Sequence, residues 1–140
     1  MSKKTDDMLK KYLKETQFVH LATYDGEFPR VRPVTLIWLD EEMFFSTGTE
    51  DNKVCQLKKN KNIELCYDLK DEKNAGYLRI SGSITFVRSK AVRKNVFEKI
   101  SFIRMFFKTP EDKGFCLLKL KPAQIEFIKP GDHLATKFKV

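Results

Sequence analysis

The sequence predicts a mainly β fold, a small antiparallel barrel with helices at its ends. Six or seven stretches have the composition and alternation of short strands, turn residues separate them, and few stretches have helical spacing. The chain of 140 residues, 41% of them hydrophobic, is long enough for one domain with a core and too short for two. We therefore expect a single domain over residues 1–140.

The first half of the chain is predicted to form two helices and three strands. The pattern predicts a helix from Thr5 or Asp6 to about Thr16, strands at 18–23, 30–39 and 43–46, and a helix at 51–60. Met8 and Tyr12 share a face at helical spacing, which defines the first helix. Asp25-Gly26 is typical of a tight hairpin turn between the first two strands. Pro33 cannot donate a ladder hydrogen bond, so it marks an irregular spot in the second strand.

The second half is predicted to contain four strands and one long helix. The expected elements are strands at 63–68 and 77–87, a helix from a Ser89 cap to Thr109-Pro110, and strands at 115–120 and 124–128 around a Lys121-Pro122 turn. The strand at 77–87 alternates most clearly, with Leu78 and Ile80 on one face and Arg79 on the other.

The formal net charge of +8 raises the hypothesis of a nucleic-acid-binding barrel, because clustered lysines and arginines release counterions from a polyanion. The lysines stand in short runs interleaved with acids such as Asp6-Asp7 and Glu50-Asp51. This distribution favours solvated faces, and nucleic-acid binding remains the less favoured alternative.

Other features of the composition concern compartment and metal binding. No run of 18 apolar residues is present and the N-terminal segment is polar, so we expect no membrane span, no secretory signal and a cytoplasmic protein. The cysteines Cys55, Cys66 and Cys116 are expected to be reduced core thiols, and no cluster has metal-ligand spacing. His20 is expected to be a core histidine, and the role of His133 stays open.

The segment from Arg30 to Lys53 contains groups that can bind a phosphate. Arg30 and Arg32 are two residues apart on a predicted strand, so their guanidinium groups point the same way. The stretch Ser46 to Thr49 adds hydroxyl groups and Gly48, and Lys53 follows in the first turn of the next predicted helix. A phosphorylated small molecule is therefore the first ligand to consider.

Several segments, taken together, point to a known family. They are Val19-His20-Leu21-Ala22-Thr23, Asp25-Gly26, Pro29 to Val34, Phe44 to Thr49, Lys53, Gln56-Leu57 and Tyr77 to Gly82. This ordered set, spread over about residues 8–128, resembles the pyridoxamine 5'-phosphate oxidase-like family of FMN-binding split barrels, particularly its short bacterial members. The resemblance implies a six-stranded antiparallel split barrel that forms a homodimer, with flavin mononucleotide (FMN) sites between the subunits.

The resemblance also implies cofactor-binding positions. They are Arg30, Val31, Arg32, Pro33, Phe45, Ser46, Thr47, Asn52, Lys53 and Gln56. The four residues 30–33 would lie along the flavin, residues 45–47 would contact its ring and ribityl chain, and Lys53 would bind its phosphate. Asn52 stands where many relatives have arginine, which removes one charge from the phosphate site.

The activity that the resemblance implies is an FMN-dependent oxidoreductase acting on an unidentified small molecule. No catalytic residue is assigned, because the flavin carries the redox chemistry. The C-terminal substrate-binding residues of the longer pyridoxamine-oxidising enzymes are not found in residues 131–140, so that activity is not implied. A non-catalytic flavin-binding or redox-sensing module is the alternative, and a deazaflavin or haem could replace FMN.

Overall fold

A computed structural model describes residues 2–140 of the chain, and Met1 lies outside the described residues. The elements are α1 (Lys3–Tyr12), β1 (Thr16–Tyr24), β2 (Pro29–Leu39), β3 (Glu42–Gly48), α2 (Asn52–Lys59), β4 (Asn62–Lys70), β5 (Ala75–Phe86), α3 (Lys90–Lys99), a 3₁₀ segment (Ser101–Met105), β6 (Phe115–Ile128) and β7 (Thr136–Lys139). Ser2 caps α1 and Ser89 caps α3, each accepting a bond from a backbone N–H three residues on.

The strands form one antiparallel sheet that closes on itself. The strand order is β3-β2-β1-β4-β5-β6-β7, and β3 also pairs with β6, from Met43 opposite Leu120 to Gly48 opposite Phe115. Strands β1 to β6 therefore form the closed barrel, and β7 is an added strand beside the second half of β6. The expectation of a six-stranded antiparallel split barrel is confirmed.

The chain builds two apolar clusters, one on each side of the barrel wall. The interior cluster takes inward-facing residues of all six barrel strands, together with Leu9 of α1 and Val54 and Leu57 of α2. The outer cluster packs α3 and the 3₁₀ segment against β2, β3 and β6, with Ile37 and Phe44 as the wall residues at its centre. Because β3 and the second half of β2 are covered on both faces, they are held firmly, whereas the first residues of β2 remain largely exposed.

The predicted helix after Ser89 is interrupted. Helix α3 ends at Lys99, Ile100 adopts an extended conformation (φ −104°, ψ 102°), and the chain continues as the 3₁₀ segment. Ile100 and Ile103 are both buried in the outer cluster, so tertiary packing replaces the helical continuation that their spacing predicts. The first helix also ends early, because Leu13 is already extended.

The predicted turn at Lys121-Pro122 is wrong, because β6 runs through it without a break. Its first part pairs with β3 as far as Leu120, and its pairing with β7 begins at Gln124. Pro122 lies between these two stretches, where the outer edge of β6 has no partner strand, so its missing N–H costs no ladder bond there. Strand β7 was not predicted, since it is short, lysine-rich and mostly exposed.

The backbones of β5 and β6 approach so closely at Gly82 that there is no room for a side chain. It lies at a register shift in the β5–β6 pairing, opposite Pro122. A Cβ atom built on Gly82 would lie 2.2 Å from the carbonyl oxygen of Lys121, which is backbone and cannot rotate away.

We expect Gly82→Ala to lower the free energy of unfolding by about 1–3 kcal/mol, because the added methyl group forces the two strands apart. Urea denaturation of the variant checks this. Ser83→Ala, next to it on β5, is the matched control and should change stability by less than about 0.5 kcal/mol. Equal stability of Gly82→Ala and the wild type would contradict the close approach.

Candidate functional site

Two cavities adjoin at one rim of the barrel. The first has a volume of about 740 Å³ and lies between the start of β2, the start of α2 and the turn that contains Asp25. The second has a volume of about 440 Å³ and lies between β2, the end of β3 and the aromatic residues around the 3₁₀ segment. Asp51 and Lys53 line both cavities, so a single ligand could reach from one into the other.

Arg32 is anchored at the centre of the first cavity. Its Nη1 donates to the Thr23 hydroxyl at 2.7 Å and to the Leu21 carbonyl at 3.3 Å, and its Nη2 donates to Gln56 Oε1 at 3.1 Å. The Thr23 hydroxyl in turn donates to the same Gln56 oxygen at 2.5 Å. Burial lowers the pKa of Arg32 from its ordinary value, although the group stays charged. All these partners are neutral, so the charge of Arg32 is oriented but not compensated.

Arg30 has an acidic partner in the hairpin turn. Its Nε lies 2.6 Å from Asp25 Oδ2. The other oxygen of Asp25 accepts backbone N–H bonds from Glu27 and Phe28 at 2.8 and 2.7 Å, in the manner of an Asx turn. These two backbone bonds, Phe28 first, and then the Arg30 bond lower the pKa of Asp25 to about 2. The turn that the Asp-Gly pair predicts thus also positions Arg30.

Lys53 has an acidic partner as well. Its ammonium group lies 2.9 Å from Asp51 Oδ2, and only 17% of its side chain is exposed against 50% for Asp51. The same oxygen of Asp51 accepts a hydrogen bond from the Thr47 hydroxyl and a long one, at 3.4 Å, from the Gly48 N–H. The Thr47 bond first, and then the Lys53 bond, lower the pKa of Asp51. A carboxylate, a lysine and a β3 hydroxyl therefore meet where the two cavities join.

The charged lining of the first cavity is nearly balanced. Three cations face two carboxylates: Arg30, Arg32 and Lys53 against Asp25 and Asp51. Among these three cations of the described chain, Arg32 is the one with no carboxylate within ion-pair distance. An incoming anion would therefore meet one excess positive charge, with Arg32 as its centre.

The second cavity is aromatic and apolar on one side. Phe102, Phe106 and Phe107 face Pro33 and Val34 of β2 across it, and Ser46 to Gly48 of β3 lie at its polar end. Phe106 is 73% exposed and its neighbour Met105 is 80% exposed. The cavity can take a flat aromatic ring against the phenylalanines, with hydroxyl groups at hand near the charged end.

The structure brings most of the predicted site residues together. Those that line a cavity are Arg30, Val31, Arg32, Pro33, Ser46, Thr47, Asn52, Lys53 and Gln56. Phe45 is placed differently, because it is 1% exposed within the interior cluster and lines neither cavity. The packing of Phe45 fixes the strand from which Ser46 and Thr47 reach the cavity.

Other predictions fail or miss residues. His20 is exposed on the outer face of β1, so its assignment to the core is wrong, and His133 is exposed too. Cys116 is buried as predicted, whereas Cys55 is exposed and Cys66 half-buried. The sequence reading missed the acidic partners and the aromatic wall. The acidic partners could have been found from the Asp25-Gly26 turn and from the cap position of Asp51. The aromatic wall could not, because the sequence gives no sign of the break at Ile100.

Comparison with known proteins identifies the family. Residues 5–129 match the family described as pyridoxamine 5'-phosphate oxidase, which is most of the chain. The chain belongs to the pyridoxamine 5'-phosphate oxidase family. Among curated proteins, none matches the chain significantly.

Solved structures of family-like proteins share the fold at low sequence identity. A NimC/NimA family protein from Clostridium acetobutylicum aligns with a TM-score of 0.79 and 17% identity, covering 98% of this chain and 93% of that one. General Stress Protein 26 from Bacillus anthracis aligns with a TM-score of 0.76 and 16% identity, covering 97% and 98%. A heme binding protein from Mycobacterium smegmatis aligns with a TM-score of 0.74 and 11% identity, covering 89% of this chain and 53% of that one.

Within residues 2–140 of this family member, no helix is long and apolar enough to cross a membrane.

The turn that holds Arg30 gives a prediction on pH. Asp25 should titrate with a pKa of about 2, against an ordinary value of 3.8. Because the folded pKa is the lower one, the carboxylate stabilises the fold above the ordinary pKa, and this contribution is lost as the pH falls through about 2. An NMR titration of the Asp25 carboxyl carbon measures this pKa.

In Arg30→Gln the pKa of Asp25 should rise only partly, since the two backbone N–H bonds are the larger causes of its lowering. A return to the ordinary value in Arg30→Gln would contradict this assignment.

Proposed function

We propose that the protein binds FMN across the two adjoining cavities and acts as an oxidoreductase on a small molecule. The observation that carries the proposal is the junction at Lys53, where a cationic cavity meets an aromatic one. FMN has the matching parts, a phosphate at one end and a flat ring system at the other. Membership of the pyridoxamine 5'-phosphate oxidase family supports this choice of ligand.

The first cavity fits the phosphate end. Arg32 offers a charge that no carboxylate compensates, and Lys53 and Arg30 stand beside it on α2 and β2. Each charge-assisted bond to a phosphate oxygen contributes roughly 1.5–3 kcal/mol, and a guanidinium can make two in parallel. Asn52 can add neutral hydrogen bonds at the helix start, in the place where many relatives have a further positive charge.

The second cavity fits the ring end. Its phenylalanines offer faces for stacking, and Ser46 offers a hydroxyl group where a polyol chain would cross from one cavity to the other. The Thr47 hydroxyl lies at the junction with the phosphate end. When bound, the flavin supplies hydride or electron transfer, and the residues of this chain bind it, orient it and exclude water from one of its faces. This division of labour accounts for a site that consists of binding groups.

Flavin fits these cavities better than haem does. One of the structural relatives is described as a heme binding protein, so haem has to be compared with flavin as the ligand. Protein ligands of haem iron are histidine, cysteine, methionine or tyrosine. In the described part of the chain the two cavities are lined by cations, acids, hydroxyl groups, amides and phenylalanines, with none of those four residue types.

We also propose that the protein is a homodimer in which a second subunit covers the open side of each site. Both cavities open to the surface, and exposed apolar residues stand at their borders. Val31 is 65% exposed, Met105 80% and Phe106 73%. An exposed group of this kind marks a surface for a protein partner or a ligand. A cytoplasmic location stays a prediction from the sequence.

The FMN proposal is tested by titration. Wild-type protein should bind FMN, with quenching of flavin fluorescence and retained flavin absorbance bands after desalting. Lys53→Ala should weaken FMN binding tenfold or more, because the phosphate loses one charge-assisted partner. Lys59→Ala is the matched control, since Lys59 lies exposed at the other end of α2 and lines neither cavity. Unchanged FMN affinity in Lys53→Ala would contradict the proposal that Lys53 binds the phosphate.

The same samples separate an oxidoreductase from a storage or sensing module. In an oxidoreductase, reduced nicotinamide cofactor should bleach the bound flavin, and a candidate acceptor such as a quinone or a nitroaromatic compound should restore it repeatedly. Bleaching without repeated turnover by any acceptor would favour the sensing module. Strongly salt-dependent polynucleotide binding without flavin would favour the nucleic-acid alternative.

Val31 tests the dimer. Val31→Asp should shift the sedimentation coefficient from that of a dimer to that of a 16.4 kDa monomer, because it would bury an unpaired carboxylate at the subunit contact. Val31→Ile keeps the apolar contact and should remain dimeric. A wild-type protein that sediments as a monomer at micromolar concentration would overturn the proposed dimer.

A further inference from the structure

The Asp51 carboxylate occupies the groups that an incoming phosphate would need. A single oxygen, Oδ2, accepts from the Thr47 hydroxyl, from Lys53 Nζ at 2.9 Å and from the Gly48 N–H at 3.4 Å. A hydroxyl, an ammonium and a backbone N–H from three different residues are the donors that proteins use to hold an anion. Here a side chain of the protein itself is that anion.

Asp51 stands at the position of a helix cap, but its side-chain contacts are not those of a cap. Asp51 is the residue that precedes α2, where an aspartate commonly caps the first turn. Its side chain makes no capping bond to the backbone of α2 and turns back toward β3 instead. The helix start therefore does not depend on the carboxylate, and a neutral residue can replace it without loss of a cap bond.

The exposure of the two partners indicates which of them would move. Lys53 is 17% exposed, with its stem packed, whereas Asp51 is 50% exposed. Rotation of the Asp51 side chain into water would release Lys53, Thr47 and Gly48 together. If Asp51 stayed in place, its negative charge would lie within a few ångström of the phosphate and would weaken binding.

We propose that Asp51 is an internal competitor for the phosphate seat formed by Thr47, Gly48 and Lys53, and that it sets the affinity and phosphate selectivity of the cofactor site. This inference rests on the proposed function, because it takes FMN as the ligand. A site with Asp51 in place discriminates less between a flavin with a phosphate and one without. Removal of the carboxylate frees the three donors and removes the repulsion, so it should favour the phosphorylated ligand alone.

The test compares FMN with riboflavin, which has the same ring and chain but no phosphate. Dissociation constants of both are measured by fluorescence titration for the wild type, Asp51→Asn and Asp51→Ser. Asparagine removes the charge but keeps an oxygen that can accept from the same donors, whereas the shorter serine removes both the charge and that oxygen, so the gain in Asp51→Ser should equal or exceed that in Asp51→Asn. Asp68→Asn is the matched control for net charge, because Asp68 is exposed on β4 and lines neither cavity. Thermal melting verifies that each variant is folded.

We expect both Asp51 variants to bind FMN about fivefold or more tightly than the wild type, and riboflavin within twofold of it. Asp68→Asn should match the wild type for both ligands. FMN binding by the wild type without a gain in either Asp51 variant would overturn the competitor role and leave the proposed function intact. An equal gain for FMN and riboflavin would also overturn it, since the effect would then not concern the phosphate. No binding of either flavin by any of the proteins would overturn the proposed function and this inference with it.

Discussion

The pairing of β3 with β6 is the constraint on which the site depends. It closes the barrel and brings the end of β3 against Phe115 at the start of β6. The same β3 end is tied to the loop before β6 by a bond from the Thr49 N–H to the Gly114 carbonyl at 2.9 Å. Beyond this end of β3, the Asp51 carboxylate joins Thr47 of β3 to Lys53 of α2 at the rim. The consecutive elements β2, β3 and α2 thus bring their polar residues to one place.

The charges at this rim are arranged in pairs before any ligand arrives. Asp25 holds Arg30 and Asp51 holds Lys53, while Arg32 is held by neutral oxygens. Pairing keeps the cations from repelling one another and fixes their positions, but it also reduces the potential that an incoming anion meets. The two pairs differ in kind. Asp25 is held by two backbone N–H groups of its own turn, whereas Asp51 is held by two side chains and one long backbone bond and is half-exposed.

The sequence predicts most of the strands and most of the residues that line the two cavities because these depend on local patterns and an ordered motif set. Alternation along β5 and the Asp-Gly turn before β2 are local, and the cavity lining at 30–33 and 46–47 follows the family resemblance. The continuous β6 was missed because the effect of Pro122 depends on which neighbouring strands end beside it. The outward placement of His20 was missed because His20 stands between apolar residues in the sequence, and that pattern does not reveal which face of β1 lies inside.

The interruption at Ile100 has a consequence for the site as well as for the core. Ile100 and Ile103 are both buried in the outer cluster, and the extended conformation at Ile100 redirects the chain into the 3₁₀ segment. This change of direction presents Phe102, Phe106 and Phe107 to β2 as one wall of the second cavity. Burial of two isoleucines in the core thus fixes the aromatic wall, while Phe106 itself remains largely exposed. The aromatic side of the second cavity is therefore held at its base by buried core residues and open at its edge.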